Sequence, residues 1–347
     1  MRSVNLPPRH RSSWRTGALL LAAAPALGVA LGGADAQAYV RSRGSSCQTV
    51  YWKQTCVYVQ PDGNYVADLT GADVERITQQ AVESWRTRIG ASFIDIKYLP
   101  ASGPREVTYK DGLQIIKFRT GQWCRPAVDG KQAVCYDRSA AAITTVSFIN
   151  KSGDPNDGKI LDADIELNSV NNQFVDLDRP LPKADGRAQT DLWNTLTHEM
   201  GHMLGLDHTC RGPVDPTDAC IVDDKGQARP LCSDVQRLRL SNPTYQTLYE
   251  STMFAVADPG DKEKRTPEAD DVKGITDTYP KSMDPANCAP PGSSGTSTGC
   301  SAAGLSQRMD PGAPWQDVTP ASATGLLGAW ALFLGALGLL LRRARRA

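Results

Sequence analysis

Hydrophobic residues follow two different periods along this 347-residue chain. From Asp73 to Arg88 they recur every three or four positions, which predicts an amphipathic helix. A second helix is predicted with Thr190 as its N-cap, a stripe of apolar residues facing the core, and Gly205 at its end. Four further segments have the alternation or the β-branched and aromatic composition of strands: 92–98, 113–118, 143–149 and 160–168.

Both ends of the chain have the composition of targeting segments. Residues 1–38 combine several arginines, an apolar run and a small-residue cleavage site before Tyr39, which predicts a secretory signal peptide. Residues 289–324 are rich in Pro, Gly, Ser and Thr and predict a linker. Residues 325–347 begin with an uncharged stretch long enough to cross a bilayer and end in an arginine cluster. We therefore expect this last segment to contact a membrane at least transiently.

Most of the cysteines lie in the segment between the two targeting ends. Of the nine cysteines, all but Cys300 lie between residues 39 and 288, and an even number there predicts disulfides in an exported domain. Cys124 is expected to pair with Cys135 across a turn at 129–130. Cys300 lies in the linker, where it suits processing or modification, or a disulfide to another chain.

Charge excludes one class of partner. The 38 basic residues are balanced by 38 acidic residues, and the arginine excess lies at the two ends. Since no basic patch is present in residues 39–288, we expect no nucleic-acid binding. That segment is long enough for one domain with a substantial core.

The residues that carry chemistry lie in one short segment, which begins at His198 and reads HEMGHMLGLDH. His198 and His202 are four residues apart, so one face of a helix presents both side chains to a single ion. Gly205 can turn the chain back and bring His208 in as a third ligand. Glu199 lies beside that face, where it can accept a proton from water. Three nitrogen ligands with an open fourth position are typical of a catalytic zinc site.

This motif resembles that of the metzincin zinc peptidases, and its Leu-Gly-Leu sequence is similar to the matrixin branch. The order of predicted elements agrees with that family from about Cys47 to Tyr279. The resemblance implies an α+β fold with a twisted mixed sheet, a first helix, an active-site helix and a closing helix over residues 267–279. The same family places a methionine turn beneath the metal.

Met253, in the sequence Ser-Thr-Met-Phe, is similar to the methionine of that turn. Asp270 and Asp271 in the closing helix are then expected to be structural, bonding the turn or the start of the chain. A core methionine and a solvated acidic helix start are the alternative interpretation.

Three features depart from the matrixin pattern. Residues 209–252 form a long insertion with three cysteines, which we expect to be cross-linked and to shape or cover the substrate cleft. No propeptide cysteine is available to ligate the metal, since Cys124 lies inside the domain. Apart from His10 in the leader, no histidine remains outside the motif, so a second structural zinc is expected to be absent.

Calcium is the second cation that the sequence suggests. Carboxylates that offer hard oxygen ligands lie near the position where matrixins bind it: Asp154, Asp157, Asp162, Asp164 and Glu166. The last three alternate with apolar residues, so they are also consistent with the solvent-facing side of a half-buried strand.

Together these features predict an exported zinc metalloendopeptidase that cleaves a protein or peptide substrate, with Glu199 as general base and His198, His202 and His208 as zinc ligands. Two other classes stay open: a zinc-containing surface module for adhesion or binding, and a zinc hydrolase acting on cell-wall amide bonds. The intact Glu199 argues against the first, and the matrixin-like order of helices and strands argues against the second.

The C-terminus also has two interpretations. The sequence around Cys300, followed by an apolar stretch and arginines, resembles the C-terminal sorting signal of myxobacterial surface proteins. In that interpretation the chain is processed near Cys300 and the apolar helix is removed. In the other, residues 325–347 remain as a membrane anchor. Either interpretation predicts a protein of the cell surface or outer envelope, or one released outside the cell.

Overall fold

A five-stranded mixed sheet and several helices form the framework of the protein in the computed structural model, which describes residues 39–291 apart from 67, 110, 128–131 and 214–219. The strands are β1 (Val40–Arg41), β2 (Cys56–Pro61), β3 (Asp95–Tyr98), β4 (Gln114–Arg119), β5 (Cys124–Arg125), β6 (Val134–Cys135), β7 (Ala142–Phe148), β8 (Ile160–Asn168), β9 (Asn172–Val175), β10 (Ala188–Asp191) and β11 (Leu206–Asp207). The α-helices are α1 (Gly71–Arg86), α2 (Leu192–Met203), α3 (Cys232–Leu238), α4 (Pro243–Glu250) and α5 (Ala269–Thr278). Short 3-10 helices span Arg239–Ser241, Glu263–Arg265 and Lys281–Met283.

The main sheet has the strand order β3-β2-β4-β8-β7. β2 is parallel to β3 and β4, β4 is parallel to β8, and β7 runs antiparallel to β8 at one edge. All four strands that the sequence predicted are present, whereas β2 was not predicted. The register pairs Ile116 with Ile165 and Val146 with Ala163, which places apolar side chains of β4, β8 and β7 on the core face.

Helix α1 packs against α2 through the apolar stripe that its sequence predicts. The helix begins after Thr70, whose hydroxyl accepts a hydrogen bond from the backbone N–H of Asp73. The indole Nε1 of Trp85 donates to the backbone oxygen of Thr197 at 2.9 Å, so the two helices are joined by a hydrogen bond as well as by packing. The stripe consists of Val74, Ile77, Ala81, Val82 and Trp85, all buried.

The N-cap of α2 is Asp191, and the prediction of Thr190 was wrong. The Asp191 carboxylate accepts from the backbone N–H of Asn194 at 2.7 Å. The Thr190 hydroxyl instead donates to Oδ1 of Asn172 at 3.2 Å, and Asp191 is the residue that directly precedes the helix. At the other end, Gly205 follows the helix at φ 94°, as the sequence predicted.

Four disulfides join the eight cysteines of residues 39–288, as expected: Cys47–Cys220, Cys56–Cys288, Cys124–Cys135 and Cys210–Cys232. The turn expected at residues 129–130 lies outside the described residues, but Cys124 and Cys135 do face each other across the antiparallel pair β5-β6. Two of the bridges fasten the insertion, one to the segment after β1 and one within itself.

Among the described residues, no helix has both the length and the apolar character needed to span a bilayer. The predicted signal peptide, nearly all of the predicted linker with Cys300, and the C-terminal segment 325–347 lie outside them.

Candidate metal centre

Three histidine side chains converge at the C-terminal end of α2. His198 and His202 lie one turn apart on the helix, and His208 follows the short strand β11. The Nε2 atom of His208 is 3.2 Å from that of His198 and 3.0 Å from that of His202. Within the described part of the chain, this is the one group of three or more His, Cys, Asp or Glu side chains whose ligand atoms are close enough to share a metal ion.

The hydrogen bonds of two of these rings determine where their protons lie. Nδ1 of His198 is 2.6 Å from the backbone oxygen of Thr252, and Nδ1 of His202 is 2.9 Å from that of Leu206. A carbonyl oxygen only accepts hydrogen bonds, so each Nδ1 carries the proton and each Nε2 directs a lone pair toward the centre. The Nε2 lone pairs of His198 and His202 therefore both face Nε2 of His208, an arrangement that suits a shared cation.

The donor set fits zinc. A tetrahedral ion with Zn–N distances of about 2.0–2.1 Å separates its nitrogen ligands by about 3.3 Å, close to the spacings of the Nε2 atoms. Burial holds the pKa of His198 well below its usual range, and the nearby positive charge of Lys264 lowers it further. Burial also lowers the pKa of His208 to about 3. Both rings are therefore neutral at neutral pH, which is the form that binds metals.

Glu199 lies beside the histidines, on the neighbouring face of α2, and is 5% exposed. Burial raises the pKa of its carboxyl group, whereas the nearby His202 and a hydrogen bond from Thr144 act in the opposite direction. The hydroxyl of Thr144, in β7, donates to Oε2 of Glu199 at 2.7 Å. A buried carboxyl group with one oxygen already fixed by Thr144 is suited to exchange a proton through its other oxygen.

Met253 is fully buried and packs against α2. It approaches α2 at Gly201, since a Cβ atom on Gly201 would lie 2.2 Å from the Met253 sulfur. The preceding residue, Thr252, connects this turn to α2 and α5. Its carbonyl oxygen faces His198 of α2, and its backbone N–H donates to Oδ2 of Asp271 in α5 at 2.8 Å.

Asp271 therefore bonds the methionine turn, as one of the two interpretations expected. The alternative of a solvated helix start is wrong for this residue, because Asp271 is fully buried. Burial raises the pKa of its carboxyl group to about 7. The neighbouring Asp270 is half-buried at the first turn of α5.

The insertion contains α3, a short 3-10 helix and α4, and it reaches the metal centre through Arg229. Nη1 of Arg229 donates to the backbone oxygen of His208 at 3.0 Å and lies 2.9 Å from Oδ2 of Asp207. Four further residues belong to this site and were not predicted from the sequence: Thr144, Gly201, Lys264 and Arg229. Except for Gly201, each is distant in sequence from the residue it contacts, so no local pattern marks it.

The five carboxylates proposed for calcium do not form a common cluster among the described residues. The carboxylate of Glu166 is bound by Arg119, Arg125 and Tyr136. The solvent-facing alternative for Asp162, Asp164 and Glu166 was wrong, since all three are buried. Burial and the adjacent carboxylate of Asp162 raise the pKa of Asp164.

Asp154 and Asp157 lie apart from these buried carboxylates, in the loop between β7 and β8. Each accepts local hydrogen bonds, Asp154 from the backbone N–H of Asn156 and Asp157 from that of Lys151. Asp157 also accepts from the side chain of Gln48 at 2.7 Å, which ties the loop to the segment after β1.

Comparisons with family models and with curated proteins find no match. Among solved structures, the GM1-bound form of the ECX AB5 holotoxin is similar with a TM-score of 0.33 and 11% sequence identity, over 71% of this chain and 90% of that chain. A similarity at this level carries no argument about fold or function.

Proposed function

We propose that this chain is an exported zinc metalloendopeptidase of the metzincin type, similar to matrixins. The observation that carries the proposal is the convergence of three histidine Nε2 atoms beside the carboxylate of Glu199. The proposal is supported by the turn at Met253, which packs against α2, and by a closing helix that hydrogen-bonds this turn. Four disulfides are consistent with a secreted protein.

In this proposal, His198, His202 and His208 hold the zinc through their Nε2 atoms. When bound, zinc supplies a Lewis acid that polarises the scissile carbonyl and makes water a stronger nucleophile. Thr144 fixes Oε2 of Glu199, so Oε1 takes the proton as the water oxygen bonds to the carbonyl carbon. Glu199 then gives this proton to the amine nitrogen as the C–N bond breaks.

The position of β7 favours a peptide as the substrate. β7 is the edge strand of the main sheet and pairs with β8 on one side. Its Thr144 touches Glu199, so the strand runs alongside the catalytic residue. An extended peptide can add to such an edge through backbone hydrogen bonds, which would bring one of its peptide bonds next to Glu199.

Incubation of the full chain with a mixed peptide library, analysed by mass spectrometry, tests this function. We expect cleavage that stops when zinc is chelated and resumes when zinc is restored. A chain that retains zinc but cleaves no peptide would contradict the proposal and favour a binding module. Release of amide-linked fragments from peptidoglycan, without peptide cleavage, would favour the cell-wall hydrolase.

A further inference from the structure

The third histidine is held differently from the other two. His198 and His202 belong to a 12-residue helix, which fixes their relative positions. His208 follows a glycine in the left-handed region and a strand of only two residues, β11. Regular secondary structure therefore does little to place the His208 ring, and other contacts must do so.

Both backbone polar groups of His208 are bound by charged side chains. Its N–H donates to Oδ1 of Asp207 at 2.7 Å, and its carbonyl oxygen accepts from Nη1 of Arg229 at 3.0 Å. Arg229 and Asp207 also form an ion pair at 2.9 Å. The Arg229 side chain is 12% exposed and that of Asp207 is 34% exposed, so the arginine is the more shielded partner of this pair. Hydrogen bonds to charged groups are among the stronger ones in proteins.

Arg229 is itself fixed by the insertion. The backbone oxygen of Arg229 accepts from Nε of Arg211 at 2.9 Å. The backbone N–H of Arg211 donates to the backbone oxygen of Pro230, also at 2.9 Å. The backbone N–H of Cys232 donates to the oxygen of Arg211 at 2.9 Å, and Cys232 is joined to Cys210 by a disulfide. The segment after His208 and the segment 229–232 thus lie side by side as one cross-linked unit.

We propose that Arg229, supported by the Cys210–Cys232 disulfide, positions His208, so that the insertion sets the metal affinity of the site. This inference rests on the proposed zinc site but not on the peptidase activity. Residues that orient a metal ligand without touching the metal typically change affinity 10–100-fold when they are lost, and we expect a loss of about that size for Arg229→Gln.

The test measures Zn²⁺ affinity of the full chain by competition with a chromophoric chelator, together with the visible spectrum of the Co²⁺ form. Arg229→Gln should bind Zn²⁺ about 10–100-fold more weakly and show an altered Co²⁺ spectrum. Arg237→Gln is the matched control, since Arg237 is an exposed arginine of the same insertion that pairs with Asp234, and its affinity should be unchanged. Thermal unfolding of the metal-free proteins reports whether each variant is folded.

A folded Arg229→Gln with wild-type Zn²⁺ affinity and Co²⁺ spectrum would overturn the inference. If this variant does not fold, Asp207→Asn decides, because it retains an acceptor for the His208 N–H but removes the charge that holds Arg229. Weaker Zn²⁺ binding by Asp207→Asn supports the positioning of His208 by Arg229, and unchanged binding overturns it. A wild-type chain that does not bind Zn²⁺ would instead reject the proposed function.

Discussion

Substitution of Gly201 by alanine tests how closely the turn at Met253 packs against α2. An alanine Cβ would lie 2.2 Å from the sulfur of Met253, 3.1 Å from its Cε and 3.2 Å from Cζ2 of Trp85. Met253 and Trp85 are both fully buried. The sulfur would have to move by roughly 1.5 Å to reach an ordinary contact distance.

Two opposing effects set the size of the change. Overpacking in a buried site costs about 1–3 kcal/mol, whereas alanine is about 1 kcal/mol more favourable than glycine inside a helix. We therefore expect the free energy of unfolding to fall by about 0–2 kcal/mol. The displaced turn would also move the Thr252 carbonyl that orients His198, so Zn²⁺ affinity should fall as well.

Urea unfolding with the disulfides intact gives the stability, and a double-mutant cycle with Met253→Ala isolates the clash. With the Met253 side chain shortened, Gly201→Ala should no longer be destabilising. The interaction free energy between the two substitutions should therefore be about 1–3 kcal/mol. Gly90→Ala is the control, because a Cβ there meets no atom within 4 Å. Effects of Gly201→Ala and Met253→Ala that add within about 0.5 kcal/mol would refute the packing argument.

Three further predictions follow from single contacts. Thr144→Val should lower kcat about 10-fold or more with KM and zinc content unchanged, because it removes the hydroxyl that orients Glu199. Thr144→Ser keeps a hydroxyl and should restore the rate. Equal rates for the two variants would exclude this role of Thr144. Burial raises the pKa of Asp271 to about 7. The protonated carboxyl group therefore contributes fully to the stability of the fold below pH 4, and this contribution is lost as the pH rises from 4 through 7. Asp271→Asn should therefore gain stability relative to wild type by at most roughly 1.4 kcal/mol per pH unit between pH 4 and 7, and a constant difference in urea unfolding would contradict the assignment. Replacing Cys56 and Cys288 by serine opens a loop with a sequence separation of 232 and should cost about 2–5 kcal/mol of stability in the same assay, whereas an unchanged midpoint would show that the bridge contributes little.

The sequence was sufficient for features whose cause is local. The period of apolar residues in α1 and the spacing of His198 and His202 both follow from helix geometry, so they could be predicted without tertiary information. The position of His208 also followed, because Gly205 permits the turn that brings it back. These features account for α1, α2 and the convergence of the three histidines, whereas α3 and α4 of the insertion were not predicted.

The remaining features depend on contacts between distant segments. One of the two interpretations placed the acidic side of β8 in solvent, because alternation shows that a strand has two faces but not what covers the second face. Arg119 and Arg125 cover it here and bind Glu166. Likewise, Thr190 and Asp191 are both acceptable caps locally, but the Thr190 hydroxyl bonds Asn172 of a distant segment and Asp191 caps the helix.

The most direct test of the account compares wild type with Glu199→Gln, measuring zinc content and peptide turnover on the same samples. Glu263→Gln, an exposed glutamate outside the metal centre, is the matched control. We expect about one zinc per chain in all three proteins and a loss of turnover by several orders of magnitude in Glu199→Gln alone, since the three histidines remain and the proton acceptor is gone. Turnover by Glu199→Gln equal to that of wild type would contradict the proposed role of Glu199.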